Sequence, residues 1–437
     1  MTYGNILRWG ICLLILAFGV LSHDAKGISR WFVLTIVIYA IPLIAQFMPR
    51  TWVRVYGIYF GLFVLIQAVI SPHFFPDTFK TLPPNMNVIN DIRGNNLPGI
   101  SGPQHIQTDA RGFRTTKPVN YDAKADFRIF FVGASTVEQA WIGNRKTFPH
   151  LIQEKLSASL GRNVEVINTG VSGLRAVHHL ETMRRTAKFH PDLYVIVPGA
   201  NDWGLHITVE YDKDSPDRFE HSPVHLEASL FRIKFLDNLR RYSIKTSLLG
   251  RAILAVTYVV KGQLSGRVAS SNEPVRSVTD APFYQEVRGS LFRKDKRTFS
   301  PKSVRPGYAK KMGEIVAFCK KSPVRCVFVT HPHSFKPGTT EAYRRTFWMT
   351  PPFEKYTLTF ESMAHIASTY NRYLIELGKK SGVPVCDLES QIAPTIKNFR
   401  DEIHFNIEGS RKAANVLFPC LLEVVRAKGP PYATPSN

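Results

Sequence analysis

Two kinds of hydrophobic pattern trade places along the middle of the chain. "FRIFFVGA" (127–134), "NVEVINTGVSG" (163–173) and "PDLYVIVPGAND" (191–202) are short apolar runs that each break into a turn, and they read as strands. Between them, "FPHLIQEKLSASLG" (148–161) and "AVHHLETMRRTAKF" (176–189) repeat apolar residues at helical spacing, the first stopping on Gly161. The alternation returns nearer the end: a helix in "GYAKKMGEIVAFCKK", a strand in "RCVFVTHPH", a helix in "TYNRYLIELGKKSG", a strand in "VPVCDLES" and a closing helix in "GSRKAANVLFPCLLEVV". Strands and helices exchanged at this length predict βαβ units. The expected fold is therefore α/β in three layers, a mainly parallel sheet with helices on both faces. Ligands of such sheets gather outside the carboxyl ends of the strands. The loops beginning at Gly133, Asn168, Gly199 and His331 should share that rim.

The flanks follow other patterns. Residues 1–72 contain three apolar stretches, Ile6–Ser22, Trp31–Met48 and Val55–Ser71, which predict three transmembrane helices. Trp9, Trp31 and Trp52 lie near their ends, as interfacial aromatics do. A cleaved signal peptide is the alternative for the first stretch, but no small-x-small site follows it. Arg8, Arg50 and Arg54 on one side balance Lys26, Arg30 and Lys80 on the other, so loop charge does not set the orientation. Residues 73–118 read as a linker and entry strand, rich in Pro, Asn and Gly as far as about Pro103, with an Arg-Gly-Phe turn after it. The strand–helix alternation occupies 119–206 and 312–427. Between them, 207–311 is a basic, partly helical insertion holding 20 Lys and Arg against 11 Asp and Glu. Its helical run 230–260 ends in an apolar segment too short to span a bilayer; packing on the main domain is the favoured reading, lying on a membrane surface the other. Residues 428–437 form a tail.

Composition narrows the classes. Of 437 residues, 44% are hydrophobic and 21% charged, which suits a packed core. The formal net charge of +22 calls for an acidic partner: nucleic acid, an anionic membrane surface or an acidic polymer. No zinc-finger, helix-turn-helix or RNA-binding signature accompanies it, so nucleic acid is not expected. Of five cysteines, Cys12 falls in an apolar stretch, and Cys319, Cys326, Cys386 and Cys420 belong to the rest. The absence of any CxxC argues against zinc and against a thioredoxin-like site. "CKKSPVRC" spans a short turn that an oxidising compartment would close as a disulfide; buried free thiols are the other reading, and both stay open, for Cys386 and Cys420 as well.

Candidate chemistry begins at Ser135, where a buried strand ends in a hydroxyl. Alone, Ser135-x-x-Glu138 reads as a helix capping box. Three further places change that. "NTGVSG" holds Asn168, Gly170 and Gly173; "GAND" holds Gly199 and Asn201; "DEIHFN" holds Asp401 and His404. Each has a structural explanation by itself, in glycine turns, an Asn turn, a surface acid or a packed histidine. Taken in this order, over roughly 126–205 and 382–417, they resemble the SGNH (GDSL-like) hydrolase family. The first block departs from Gly-Asp-Ser at Ala134 and is closer to the Gly-Gly-Ser-Thr branch. Gly173 matches the second-block glycine better than Gly170 does.

The resemblance implies a serine nucleophile, Ser135, a base, His404, and an orienting acid, Asp401. It also implies an oxyanion hole made by the N–H groups of Ser135 and Gly173 and the side chain of Asn201, with no cofactor or metal. The expected function is a membrane-anchored serine esterase, its catalytic part outside the cytoplasm, acting on an acyl ester of a glycan or lipid, acetyl included. One alternative is an O-acyltransferase of envelope polysaccharide, working with a membrane acyl-transfer partner. Another is a non-catalytic membrane scaffold or glycan-binding protein. Side readings complete the picture: His331 and His333 as strand-end histidines rather than metal ligands, His178 and His179 as packed rather than rim residues, Trp203 as a wall of the acyl pocket, and Arg111 and Arg114 as contacts to an acidic substrate or solvated charges.

Overall fold

The computed structural model describes residues 79–94, 96–207, 274–279, 294–349 and 356–427. The three apolar stretches before residue 72, the helical run 230–260 and the tail 428–437 lie outside them. Among the described residues, no helix is long and apolar enough to cross a membrane.

The described chain opens with strands β1 (Asn87–Ile92) and β2 (Gly102–Gln107). The alternation then runs β3 (Phe127–Gly133), α1 (Ser135–Glu138), α2 (Phe148–Leu160), β4 (Val164–Asn168), α3 (Ala176–Thr186), β5 (Leu193–Val197) and α4 (Ala200–Trp203). Two short strands follow, β6 (Val275–Thr279) and β7 (Asp295–Arg297). The second half runs α5 (Pro306–Lys321), β8 (Arg325–Val329), α6 (Glu341–Arg344), β9 (Tyr356–Leu358), α7 (Phe360–Ser381), β10 (Val385–Cys386) and α8 (Ile407–Arg426).

Five strands form the central sheet in the order β10-β8-β5-β3-β4, every pair parallel. Every residue of β3 and β5 is buried, which is why their sequences are apolar runs without alternation. The chain steps from β3 outward to β4, then back across β3 to β5. Right-handed crossovers in opposite directions put α2 and α3 on opposite faces. α2 packs with α8, and α3 with α5. Register then aligns the strand ends: Phe131 sits opposite Asn168, and Gly133 opposite Val197.

The linker expected up to about Pro103 is structured. β1 pairs antiparallel with β2 and parallel with β6, a strand supplied by the insertion, in a separate three-stranded sheet. Its polar sequence gave no apolar alternation because only one of the six β1 residues is fully buried. Regular structure also resumes at Pro306, before the expected end of the insertion at 311. The strand expected in "VPVCDLES" shrinks to Val385–Cys386, since Asp387 turns aside to accept a hydrogen bond from the Thr330 hydroxyl at 2.8 Å. α7 starts earlier than its apolar pattern, at Phe360, where Thr359 caps it by accepting the Ser362 N–H. Two disulfides close in this body, Cys319–Cys326 between α5 and β8 and Cys386–Cys420 between β10 and α8.

Candidate active site

Ser135 follows β3 directly and opens the single turn of α1. It does not cap that turn: Ala134 is the N-cap residue, and no side chain bonds to the helix end. Glu138 is turned away as well, accepting the main-chain N–H of Ser172 and, at 2.6 Å, its hydroxyl. The capping-box reading therefore fails, because both of its members are engaged elsewhere. Burial raises the pKa of the Glu138 carboxyl, against the lowering effect of Ser172 and Arg114.

Several buried side chains fasten the turn that carries Ser135. Asn168 donates to the Val137 carbonyl at 2.7 Å. Gln139 accepts from Phe148 N at 2.9 Å and from the Ser410 hydroxyl at 3.1 Å. The Arg114 guanidinium donates to the carbonyls of Glu138, Gln139 and Ile142 and to Asn144. Burial lowers its pKa to about 10. Arg114 is thus a structural clamp with no contact to spare for a substrate, while Arg111 lies over the rings of Tyr121 and Phe189.

His404 and Asp401 come from a tight turn ahead of α8. Arg400 and His404 pair through their main chains at 2.9 Å, Phe399 and Phe405 form an antiparallel bridge, and Asn406 caps α8 by accepting the Gly409 N–H. His404 Nε2 lies 2.8 Å from Ser135 Oγ. Its Nδ1 lies 2.8 and 2.9 Å from the two carboxylate oxygens of Asp401. Asp401 Oδ1 also accepts the N–H groups of Ile403 and His404 at 3.1 and 2.9 Å. Burial pushes the Asp401 carboxyl up, but His404, Arg400 and the hydrogen bonds together outweigh it and hold its pKa well below the usual range. The acid therefore stays ionised, and the ring beside it is fixed with Nε2 facing the hydroxyl.

The other two blocks meet next to each other. Gly173 occupies the left-handed region at φ 82°, which favours glycine. Asn201, in α4, donates from Nδ2 to the carbonyl of Leu174, the residue after Gly173, at 2.8 Å. Its second amide hydrogen has no partner among the described residues. The neighbouring Asp202 accepts the Ala176 N–H on both oxygens, at 3.2 and 3.1 Å. No hydrogen bond among the described residues takes up the N–H of Ser135 or Gly173. The structure thus brings Ser135, His404 and Asp401 into one hydrogen-bonded row and ties the Gly173 and Asn201 segments together.

The strand-end histidines have structural work. His331 Nε2 lies 3.0 Å from the hydroxyl of Thr136, next to Ser135, and Asn371 holds the His331 main chain at 2.8 and 2.9 Å. Burial first, then the charge of His404, lowers the His331 pKa to about 3. His333 is buried beside Trp203 and Glu389. His178 and His179 are buried in α3. Trp203 does not wall a pocket: at 1% exposure it is sealed among His331, His333 and Phe335. Sequence reasoning missed Trp348, whose indole lies parallel to the His404 ring, and Glu402, fully buried between the paired residues. Trp348 stands in no segment whose pattern marks it, and Glu402 stands inside the Asp-x-x-His block at a position to which the pattern gives no role.

Comparison with known proteins accords with this geometry. A sequence model described as the GDSL-like Lipase/Acylhydrolase family matches residues 131–412. No curated protein matches the chain. Among solved structures, an acetylxylan esterase from Geobacillus stearothermophilus is similar at 11% identity and TM-score 0.35, over 70% of this chain and 97% of its own. A lipase/acylhydrolase from Enterococcus faecalis is similar at 14% and 0.33, over 68% and 95%. These distant likenesses are similarities only. The family match spans more than half of the chain and contains all four blocks: the chain belongs to the GDSL-like lipase/acylhydrolase family.

Proposed function

We propose that this chain is a membrane-anchored serine esterase that cleaves an acyl ester of a glycan or lipid through an acyl-Ser135 intermediate. The observation that carries the reading is the row Ser135 Oγ, His404 Nε2 and Nδ1, Asp401 carboxylate, with spacings of 2.8, 2.8 and 2.9 Å. A neutral hydroxyl is a weak nucleophile and needs a base within hydrogen-bond reach. His404 takes the Ser135 proton as Oγ attacks the ester carbonyl. Asp401 stabilises the imidazolium. The oxyanion is received by the N–H groups of Ser135 and Gly173 and the Asn201 amide, and His404 then protonates the departing alcohol. Water, activated in the same way, frees the acyl group from Ser135.

Membrane anchoring rests on the three apolar stretches of residues 1–72, and a site outside the cytoplasm on the two disulfides, which persist in oxidising compartments. The basic balance of the chain, +22, suits an acidic glycan or an anionic lipid surface. A fluorophosphonate probe tests the reading. Labelling of the wild type and not of Ser135→Ala is expected; a wild type that resists the probe would mean a binding scaffold. Supplying a glycan acceptor with an acyl donor then asks whether water or the glycan receives the acyl group.

A further inference from the structure

The turn that carries Asp401 and His404 holds a second buried carboxyl group. Glu402 is fully buried, yet it does not join the row to Ser135. Its carboxyl oxygens accept the N–H of Trp348, each at 3.3 Å, and the N–H of Met349. A carboxyl group removed from water needs such donors. Here they come from the main chain of the segment between α6 and β9. The turn is also tied to the chain just before that segment: the Glu402 carbonyl accepts the Ser334 N–H at 2.7 Å, and the Asp401 carbonyl accepts the hydroxyl of Tyr343, in α6, at 2.8 Å.

The side chain placed by this tether is the indole of Trp348. It lies parallel to the His404 imidazole, with 3° between the planes and 6.3 Å between the ring centroids. On its other contacts it packs with Trp141 and Ile407 against a small apolar cluster of Ile92, Leu97, Ile100 and Ile142, apart from the main core. Trp348 remains half-buried, unlike the sealed Trp203.

We propose that Trp348, positioned by Glu402, selects the alcohol half of the ester, and that the alcohol it fits is a sugar. This rests on the serine-esterase reading above. In the step concerned, the bond between the acyl carbon and the alcohol oxygen breaks and its electron pair stays on that oxygen. The oxygen takes the proton from His404 Nε2 as the alcohol departs, and the acyl carbon remains on Ser135. The leaving alcohol therefore passes beside the imidazole, and a parallel indole borders that space. An indole is a broad apolar face with a polar edge. A sugar ring offers it a flat array of C–H bonds while its hydroxyls stay at the rim, which an acyclic alcohol cannot do.

The test compares 6-O-acetylglucose with ethyl acetate, two esters of the same acid, using the full chain in detergent. The wild type should favour the sugar ester. Trp348→Ala should lower the ratio of the two kcat/KM values about tenfold, the loss expected of one aromatic contact. Glu402→Leu should lower the same ratio, and Glu402→Gln, which keeps an acceptor oxygen, should restore it. Equal losses on both esters, or an unchanged ratio in Trp348→Ala, would overturn the proposal, as would a wild type without preference. Trp348→Phe serves if the alanine variant does not fold, with an intermediate ratio expected and an unchanged one counting against the proposal. Fluorophosphonate labelling of the same samples separates the two ideas. Labelled enzyme with an unchanged ratio removes the sugar contact alone, whereas unlabelled wild type removes the esterase reading beneath it.

Discussion

The five-stranded sheet and the three-stranded sheet are built from sequence of opposite character and serve the site in different ways. β3 and β5 are buried throughout, so their side chains are locked on both faces and their ends have little freedom to move. Ser135 and Asn201, two of the proposed catalytic groups, stand just past those ends, where a hydroxyl or amide can meet a substrate. The β1-β2-β6 sheet is polar and partly open, with Val278 of β6 60% exposed. It carries none of the proposed catalytic groups. Its contribution comes through the β1–β2 connection, where Gly99 lies against Asn406, the cap of α8 two residues beyond His404. A rigid inner sheet positions chemistry at its rim, and an outer sheet braces one piece of that rim from outside.

That division predicts separable losses. Ser135→Ala should reduce ester hydrolysis by about 10³-fold or more, with the melting temperature held, because Ser135 makes no cap bond in α1. A large fall in melting temperature would show that the rim is structural after all. Asn201→Ala should cost about 10²–10³ in kcat by removing a proposed oxyanion donor. It also frees the Leu174 carbonyl, so a drop in kcat confined to that range, read by steady-state kinetics, would sharpen the assignment.

The same contrast explains what could be read from the chain alone. β3, β5 and β8 were legible because burial on both faces demands apolar runs, and β4 because Glu165 alone interrupts its buried run. Ser135, Asp401 and His404 were legible because the turns that carry them have a fixed local order. β1 and β2 were not: their residues face solvent on one side, and Asn, Gln and His replace the expected alternation. Trp348 was hidden for another reason. Its place beside His404 depends on a carboxyl group 54 residues away in the chain, and no local spacing encodes such a contact. Arg114 was misjudged because a cation in a turn looks solvated until its carbonyl partners are seen.

Two changes measure how firmly each region is held. Replacing Cys386 and Cys420 together by Ser removes the link between β10, an edge of the inner sheet, and α8. The loss should be about 3 kcal/mol, read from denaturant midpoints. Gly99→Ala acts on the outer brace. Gly99 has φ +70°, and a Cβ there would come within 2.5 Å of Asn406 Nδ2. The expected cost is about 2 kcal/mol, with a parallel fall in kcat because the α8 cap and His404 share one turn. Lost stability without lost activity would mean that the outer sheet does not brace the rim.

The smallest expected effect is a slope. Burial first, then the charge of Asp401, raises the Glu402 pKa from 4.5 to about 8. Between those values the unfolded chain gives up a proton that the folded chain keeps, so stability falls as pH rises. The buried histidines act in the opposite sense: burial lowers His150, His179 and His331 to about 3 and His206 to about 4, and lowers His333 as well, so their contribution rises with pH and levels off only about one unit above 6.5. Asp401, with its lowered pKa, matters only in acid. The Glu402 share is therefore read as the difference between the wild type and Glu402→Gln, in which the histidines cancel: from pH 6.5 to 8 the wild type should lose stability relative to the variant on the order of 1 kcal/mol per pH unit. Glu402→Gln should lack that loss while the tether to Trp348 and Met349 persists. Melting curves of both proteins across this window decide it: parallel declines would mean that Glu402 is already ionised at neutral pH and holds the rim as a charge.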